Sequence, residues 1–217
     1  LNRTEEIITR ILNHYERQWR PIESDPFKSL VRIVLSQNTS YRNESKAFEQ
    51  LERDIGVDPQ DMMNAPIQRI EEAIRPAGMQ NLRSRTLKEV AEAISKRYGG
   101  DISTILRKPY PEARKELMEL PGVGMKTADV LLMFDADRAI VPVDRHITRI
   151  AKRLELVPEK ATYEEIRLAL EAATEPDERL DTHVFLIQFG REICRAQHPR
   201  CVSCFLNDLC PYPKKLD

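Results

Sequence analysis

Four cysteines, Cys194, Cys201, Cys204 and Cys210, stand in the spacing C-x6-C-x2-C-x5-C within CRAQHPRCVSCFLNDLC, and the chain holds no others. Four thiolates in so short a segment can surround one metal centre, because a bound metal removes the cost of burying each anion. Disulfides are the first alternative, disfavoured because no secretion signal directs the chain to an oxidising compartment. Zinc is the second, but structural zinc sites usually carry two short C-x2-4-C knuckles and this segment has one. The spacing therefore favours iron–sulfur ligation over both.

A second constellation centres on a lysine. A helical pattern beginning near residue 112 runs into Leu117, Leu120 and Pro121. Gly122-Val123-Gly124 follows, and then a second apolar helix, Lys126 to Phe134. A Gly-x-Gly turn between helices exposes backbone N–H groups that no side chain screens. With the positive end of the second helix, it can hold a phosphate oxygen and so anchor a duplex without reading its bases. Taken alone, the turn is equally a plain αα-connection whose glycines only satisfy backbone geometry. Lys126 adds weight to the first reading. In the first turn of a helix a positive charge opposes the macrodipole, which favours the neutral, nucleophilic amine.

Eighteen residues further on, Pro142-Val143-Asp144-Arg145-His146 precedes another helical stripe. Asp144 reads as an N-cap. A carboxylate held at a helix start can also stabilise positive charge developing on a sugar, as glycoside chemistry requires. His146 reads as a hydrogen-bonded structural histidine and is given no catalytic role.

The elements that must position these groups are helical. Ile7, Ile8, Ile11, Leu12, Tyr15 and Trp19 share one stripe, as do Leu87, Val90, Ala91, Ile94 and Tyr98, and Ile147, Ile150, Ala151 and Leu154. Asp25-Pro26 reads as an N-cap followed by proline at the first helical position, and Thr162 with Glu165 as a capping box. Strand-like alternation is hard to find. An all-α fold of roughly ten short helices is expected, with a soft boundary near 135–142. Lys and Arg total 34 against 35 Asp and Glu, so any basic surface for a polyanion must be local rather than global. No stretch has the length and apolarity of a membrane span, so a soluble cytoplasmic, nucleoid-associated monomer is expected, with no membrane partner.

LPGVGMKTADVLL, then VDRHITRIAKRL, then the cysteine spacing, together resemble the endonuclease III branch of the helix-hairpin-helix DNA glycosylases. With LSQNTS included, the similarity covers nearly the whole chain. The resemblance implies a two-lobed fold with DNA in the cleft. One lobe is a six-helix barrel over 22–134 ending in the hairpin motif (about 112–134). The other joins 1–21 to 135–217 and carries a 4Fe-4S cluster in the loop 194–210. It implies that Lys126 attacks C1′ of a damaged nucleoside, with Asp144 in support, and that a Schiff base then permits β-elimination and strand nicking.

The expected partner is double-stranded DNA holding a damaged or mismatched base, flipped out to be reached. Expected DNA contacts are Gly122, Val123 and Gly124 in the hairpin, Gln37 and Asn38 beside the lesion pocket, and Met79 and Gln80 in the wedge loop. Arg195 and Arg200, in the cysteine loop, are expected on phosphates. Arg145 stands where the family often has Thr, Tyr41 replaces a frequent Asp, and Asn38 falls where a glutamine is usual. These departures bear on substrate. The expected activity is excision of oxidised pyrimidines such as thymine glycol. The alternatives are uracil or thymine in mismatches, an alkylated purine, or a non-catalytic DNA-binding module.

Overall fold

The computed structural model describes residues 2–16 and 25–215; Trp19, at the end of the first stripe, and Ile22, the expected start of the barrel lobe, lie outside the described residues. Among the described residues there are twelve α-helices and no strands, so the expected all-α class holds. In chain order these are α1 Arg3–His14, α2 Pro26–Ser36, α3 Tyr41–Asp54, α4 Pro59–Asn64, α5 Ile67–Ile74 and α6 Gln80–Tyr98. Then come α7 Ser103–Leu106, α8 Tyr110–Met118, α9 Met125–Asp135, α10 Arg145–Arg153, α11 Tyr163–Ala172 and α12 Arg179–Glu192. The count exceeds ten because α4 and α7 span six and four residues, too few to show a 3.6-residue period. The caps act as expected. Asp25 accepts from the Phe27 and Lys28 N–H groups ahead of Pro26, and Thr162 and Glu165 close a capping box.

The chain divides into two compact units. Pro21–Arg138 forms one, and Leu1–Arg20 with Ala139–Asp217 forms the other. In the Pro21–Arg138 unit, α6 packs on α4 and α5, and α2 packs on α3 and α9. Phe48, Leu51, Ile70, Ile74, Leu87, Val90 and Ile94 are fully buried there. Each such side chain contributes about 1.5–3 kcal/mol through apolar burial. Residues Thr127 to Met133 of α9 are buried without a break, so this helix is enclosed on all sides beyond its first turn. Its one buried charge, Asp129, is fully enclosed and held by α8. Arg114 Nε donates to Oδ1 at 2.8 Å and Nη2 to Oδ2 at 3.2 Å, while the Tyr110 hydroxyl donates to Oδ1 at 3.0 Å. Both carboxylate oxygens are satisfied, which fixes the two hairpin helices against each other.

In the split unit, Ile7, Ile8 and Ile11 of α1 enter a core with Ile147, Ile150, Leu186 and Phe189. The two ends of the chain are joined by polar contacts as well. Arg3 donates to the Leu154 and Leu209 carbonyls, Arg10 pairs with Asp208, and His14 stacks on Phe205 at 4.0 Å between ring centres. Gly190 of α12 lies so close to α10 that a Cβ there would fall 2.9 Å from the His146 Cβ and 3.1 Å from Ile150 Cδ1.

Asp129→Ala leaves the Arg114 charge without its buried partner and is expected to cost about 3–5 kcal/mol of stability, read by denaturant unfolding. Adding Arg114→Met should return part of that loss. A cost below about 1 kcal/mol would mean that the pair behaves as a surface ion pair.

Candidate functional site

Lys126 is the second residue of α9, half-buried, at the point where this enclosed helix meets the surface. The helix has Gly124 at its N-cap with extended backbone and no side-chain cap, so its first N–H groups are left to other partners. The turn before it is shaped by Gly122, whose φ of 71° suits glycine. A Cβ at Gly122 would also lie 2.4 Å from Thr86 Cγ2 on α6. Gly122 and Gly124 are exposed. Val123 is buried, and its N–H turns inward to the Leu120 carbonyl at 3.2 Å. Val123 therefore anchors the turn, and the two glycines present its outer backbone.

Gln37 and Asn38 follow α2 and are exposed; Met79 precedes α6 and is 53% exposed, with Gln80 half-buried beside it. Asn38 has φ 54° and Met79 φ 52°, left-handed conformations that asparagine adopts readily but that cost methionine about 1–2 kcal/mol. Sequence reasoning overlooked the side chain that joins these two segments. Arg83 donates from Nη1 to the Ala77 and Gly78 carbonyls and from Nη2 to the Gln37 carbonyl. Leu82, 59% exposed one turn from Met79, was overlooked too.

Asp144 belongs to the split unit. It is the N-cap of α10, with Oδ1 accepting from the Ile147 N–H at 2.8 Å. The run Ile140–Val143 leading to it is buried and forms no strand, so its peptide groups need side-chain partners. Glu171 accepts from the Val141 N–H at 3.0 Å, and the Tyr163 hydroxyl accepts from the Val143 N–H at 3.3 Å. Buried His183 donates its Nδ1–H to the Pro142 carbonyl at 2.8 Å. None of these three carried a sequence signal. His146 is a structural histidine here. Burial pushes its imidazole below the ordinary value against the opposing pull of Asp144, and Nδ1 accepts from Arg149 at 3.1 Å.

All four cysteines are half-buried and line a single recess, with Phe189, Ile193, Leu154 and Arg153 in its wall. Among the described residues, no three His, Cys, Asp or Glu side chains converge on one point as ligands of a single ion would. Burial pushes the Cys204 and Cys210 thiols up, and their neighbouring cysteines push them further. A cationic group in the recess would favour the thiolate form of these two. Two arginines of α10 hold the loop. Arg149 donates to the Cys194 carbonyl at 2.9 and 3.0 Å. Arg153 donates to the Arg195 carbonyl at 2.6 Å and to Cys194 Sγ at 3.6 Å. Arg195 is itself turned onto the His198 carbonyl at 2.9 Å, whereas Arg200 is exposed.

Residues 31–176 match the family model of the HhH-GPD superfamily base excision DNA repair proteins. The endonuclease III of Thermotoga maritima is 31% identical over 211 residues, covering 97% of this chain and 93% of that protein. The endonuclease III of Escherichia coli K12 is 29% identical over 213 residues, covering 98% and 96%. Among solved structures, a trapped endonuclease III–DNA covalent intermediate superposes with a TM-score of 0.86 at 28% identity, covering 100% of this chain and 99% of the other. A thermostable thymine-DNA glycosylase shares the fold, with a TM-score of 0.78 at 24% identity over 98% and 97%. The match runs over nearly the full length of both partners, and the chain belongs to the endonuclease III family within the HhH-GPD superfamily of base excision DNA repair proteins.

Proposed function

We propose that this DNA glycosylase of base excision repair is bifunctional, excising oxidised pyrimidines of the thymine glycol type from duplex DNA and nicking the strand as an AP lyase. The observation that carries the reading is Lys126 at the uncapped first turn of the buried helix α9, behind an exposed glycine turn. A positive charge at a helix start opposes the macrodipole.

In the proposed reaction the Nζ lone pair bonds to C1′ while the glycosidic bond breaks and the base departs with its electron pair. Opening of the sugar ring gives the Schiff base. Loss of a C2′ proton expels the 3′ phosphate, and water then releases the lysine. Asp144 is assigned the stabilisation of positive charge on the sugar; its Oδ1 serves the cap, which leaves Oδ2 for this task. The exposed backbone at Gly122 and Gly124 is assigned to a phosphate, together with exposed Arg200, while Arg195 braces its own loop. Met79 and Leu82 are apolar and exposed beside the wedge loop, the chemistry needed to fill the space a flipped base leaves. Gln37 and Asn38 are assigned to the border of the lesion pocket.

Cys194, Cys201, Cys204 and Cys210 are assigned a 4Fe-4S cluster, which suits four sulfurs spread around one recess. The cluster would supply a structural crosslink for the loop that holds Arg200. Arg149 and Arg153 would offset the negative charge of its thiolates.

Lys126→Gln is expected to bind lesion duplex normally yet lose borohydride trapping and strand nicking, because an amide cannot attack C1′. Asp144→Asn still caps α10, so stability should hold while base release slows about 10²–10⁴-fold. Wild-type turnover by the Asn variant would reduce Asp144 to a cap, and faster release of mismatched uracil or alkylated purine than of thymine glycol would replace the substrate. Separately, purified protein should contain iron and inorganic sulfide in equal amounts; stoichiometric zinc without iron would rule the cluster out.

A further inference from the structure

Arg83 is the fourth residue of α6 and is 4% exposed. Among the described residues its hydrogen-bond partners are the main-chain carbonyls of Ala77, Gly78 and Gln37 rather than a carboxylate. A buried guanidinium held this way lacks the counter-charge that normally offsets its desolvation, and burial lowers its proton affinity accordingly. An apolar side chain at this place would avoid that cost. What the guanidinium adds is geometry, since its fixed fork of donors spans segments lying 46 and 5 residues away in sequence.

The carbonyls it holds are informative. Gln37 immediately precedes Asn38, and Gly78 immediately precedes Met79, the two residues of these segments that adopt positive φ despite carrying a Cβ. A carbonyl lies in the plane of the peptide that enters the next residue, so fixing it sets the plane from which that residue's φ departs. One side chain thus orients the entry to both left-handed residues. Three residues further along the same helix, Thr86 meets Gly122 of the hairpin turn. The first two turns of α6 therefore form the rigid piece against which all three segments are set.

We propose that Arg83 is a positioning residue that locks the Gln37–Asn38 segment to the Gly78–Met79 loop, so that displacing a base from the stack and receiving it in the pocket occur as one event. This rests on the reading above that the first segment borders the pocket and the second carries the wedge. Lysine is a poor substitute here, because its compact ammonium lacks the planar fork of donors that spans the three carbonyls.

The test uses Arg83→Lys and Arg83→Met in the full chain. Hydrogen exchange, which needs no DNA, should show residues 36–39 and 77–81 losing protection together while α9 is unchanged. Single-turnover base release from lesion duplex should fall about 10–100-fold, the scale of a misplaced wedge and pocket. Trapping on a preformed abasic duplex should fall far less, because no base remains to be unstacked. Loss of protection in only one segment, or a uniform loss across the unit, would overturn the coupling. So would parallel losses on lesion and abasic duplexes, or no kinetic effect in either variant. Wild-type protein that releases no base but shows the paired exchange response in its variants would fault the glycosylase reading and leave the lock between segments standing.

Discussion

The amine proposed to attack DNA is useful only if the backbone beneath it does not yield, and for Lys126 that backbone is the buried helix α9. The helix is enclosed by apolar neighbours, which fixes its depth but not its direction. Direction comes from Asp129, fully buried and gripped through both oxygens by Arg114 and Tyr110 of α8. A buried carboxylate tolerates few arrangements, because every misplaced oxygen forfeits a charge-assisted hydrogen bond in a medium that cannot replace it. The angle between the hairpin helices therefore follows from an ion pair, and the exposed turn and the lysine follow from the angle. Gly122 completes the constraint by letting the turn close against Thr86.

The same logic recurs wherever the chain is irregular. Outside helices, peptide groups near the core have no regular partner, and here long side chains supply one. Glu171, Tyr163 and His183 hold the run before Asp144, Arg149 and Arg153 hold the cysteine loop, and Arg83 holds the segments beside α2 and α6. Helix α10 stands at the centre of one such set, capped by Asp144 at its start and carrying both loop-holding arginines along its length. These irregular segments take their positions from side chains rooted in helices.

This division explains what could be read without coordinates. Asp25-Pro26, the Thr162–Glu165 box and the Asp144 cap depend on neighbours within four residues, so their chemistry is written locally. The stripes Ile7–Ile8–Ile11 and Leu87–Val90–Ala91–Ile94 are periodic and are buried as expected. The cysteines declare themselves by type and spacing. Arg83, His183 and Glu171 do not, because each acts on a carbonyl or an N–H some 30 to 46 residues distant, and every residue type offers the same peptide group. Val123 shows the converse. Its place in the turn was legible, but only the fold reveals that its side chain and N–H point inward.

The central claim is that the amine at the start of α9 makes the covalent bond to DNA. Wild-type protein reduced with borohydride during turnover on a lesion duplex, then digested and analysed by mass spectrometry, locates that bond directly. The account predicts a sugar-phosphate remnant on the peptide containing Lys126 and on no other. A remnant on the chain's terminal amine or on any other lysine would contradict it.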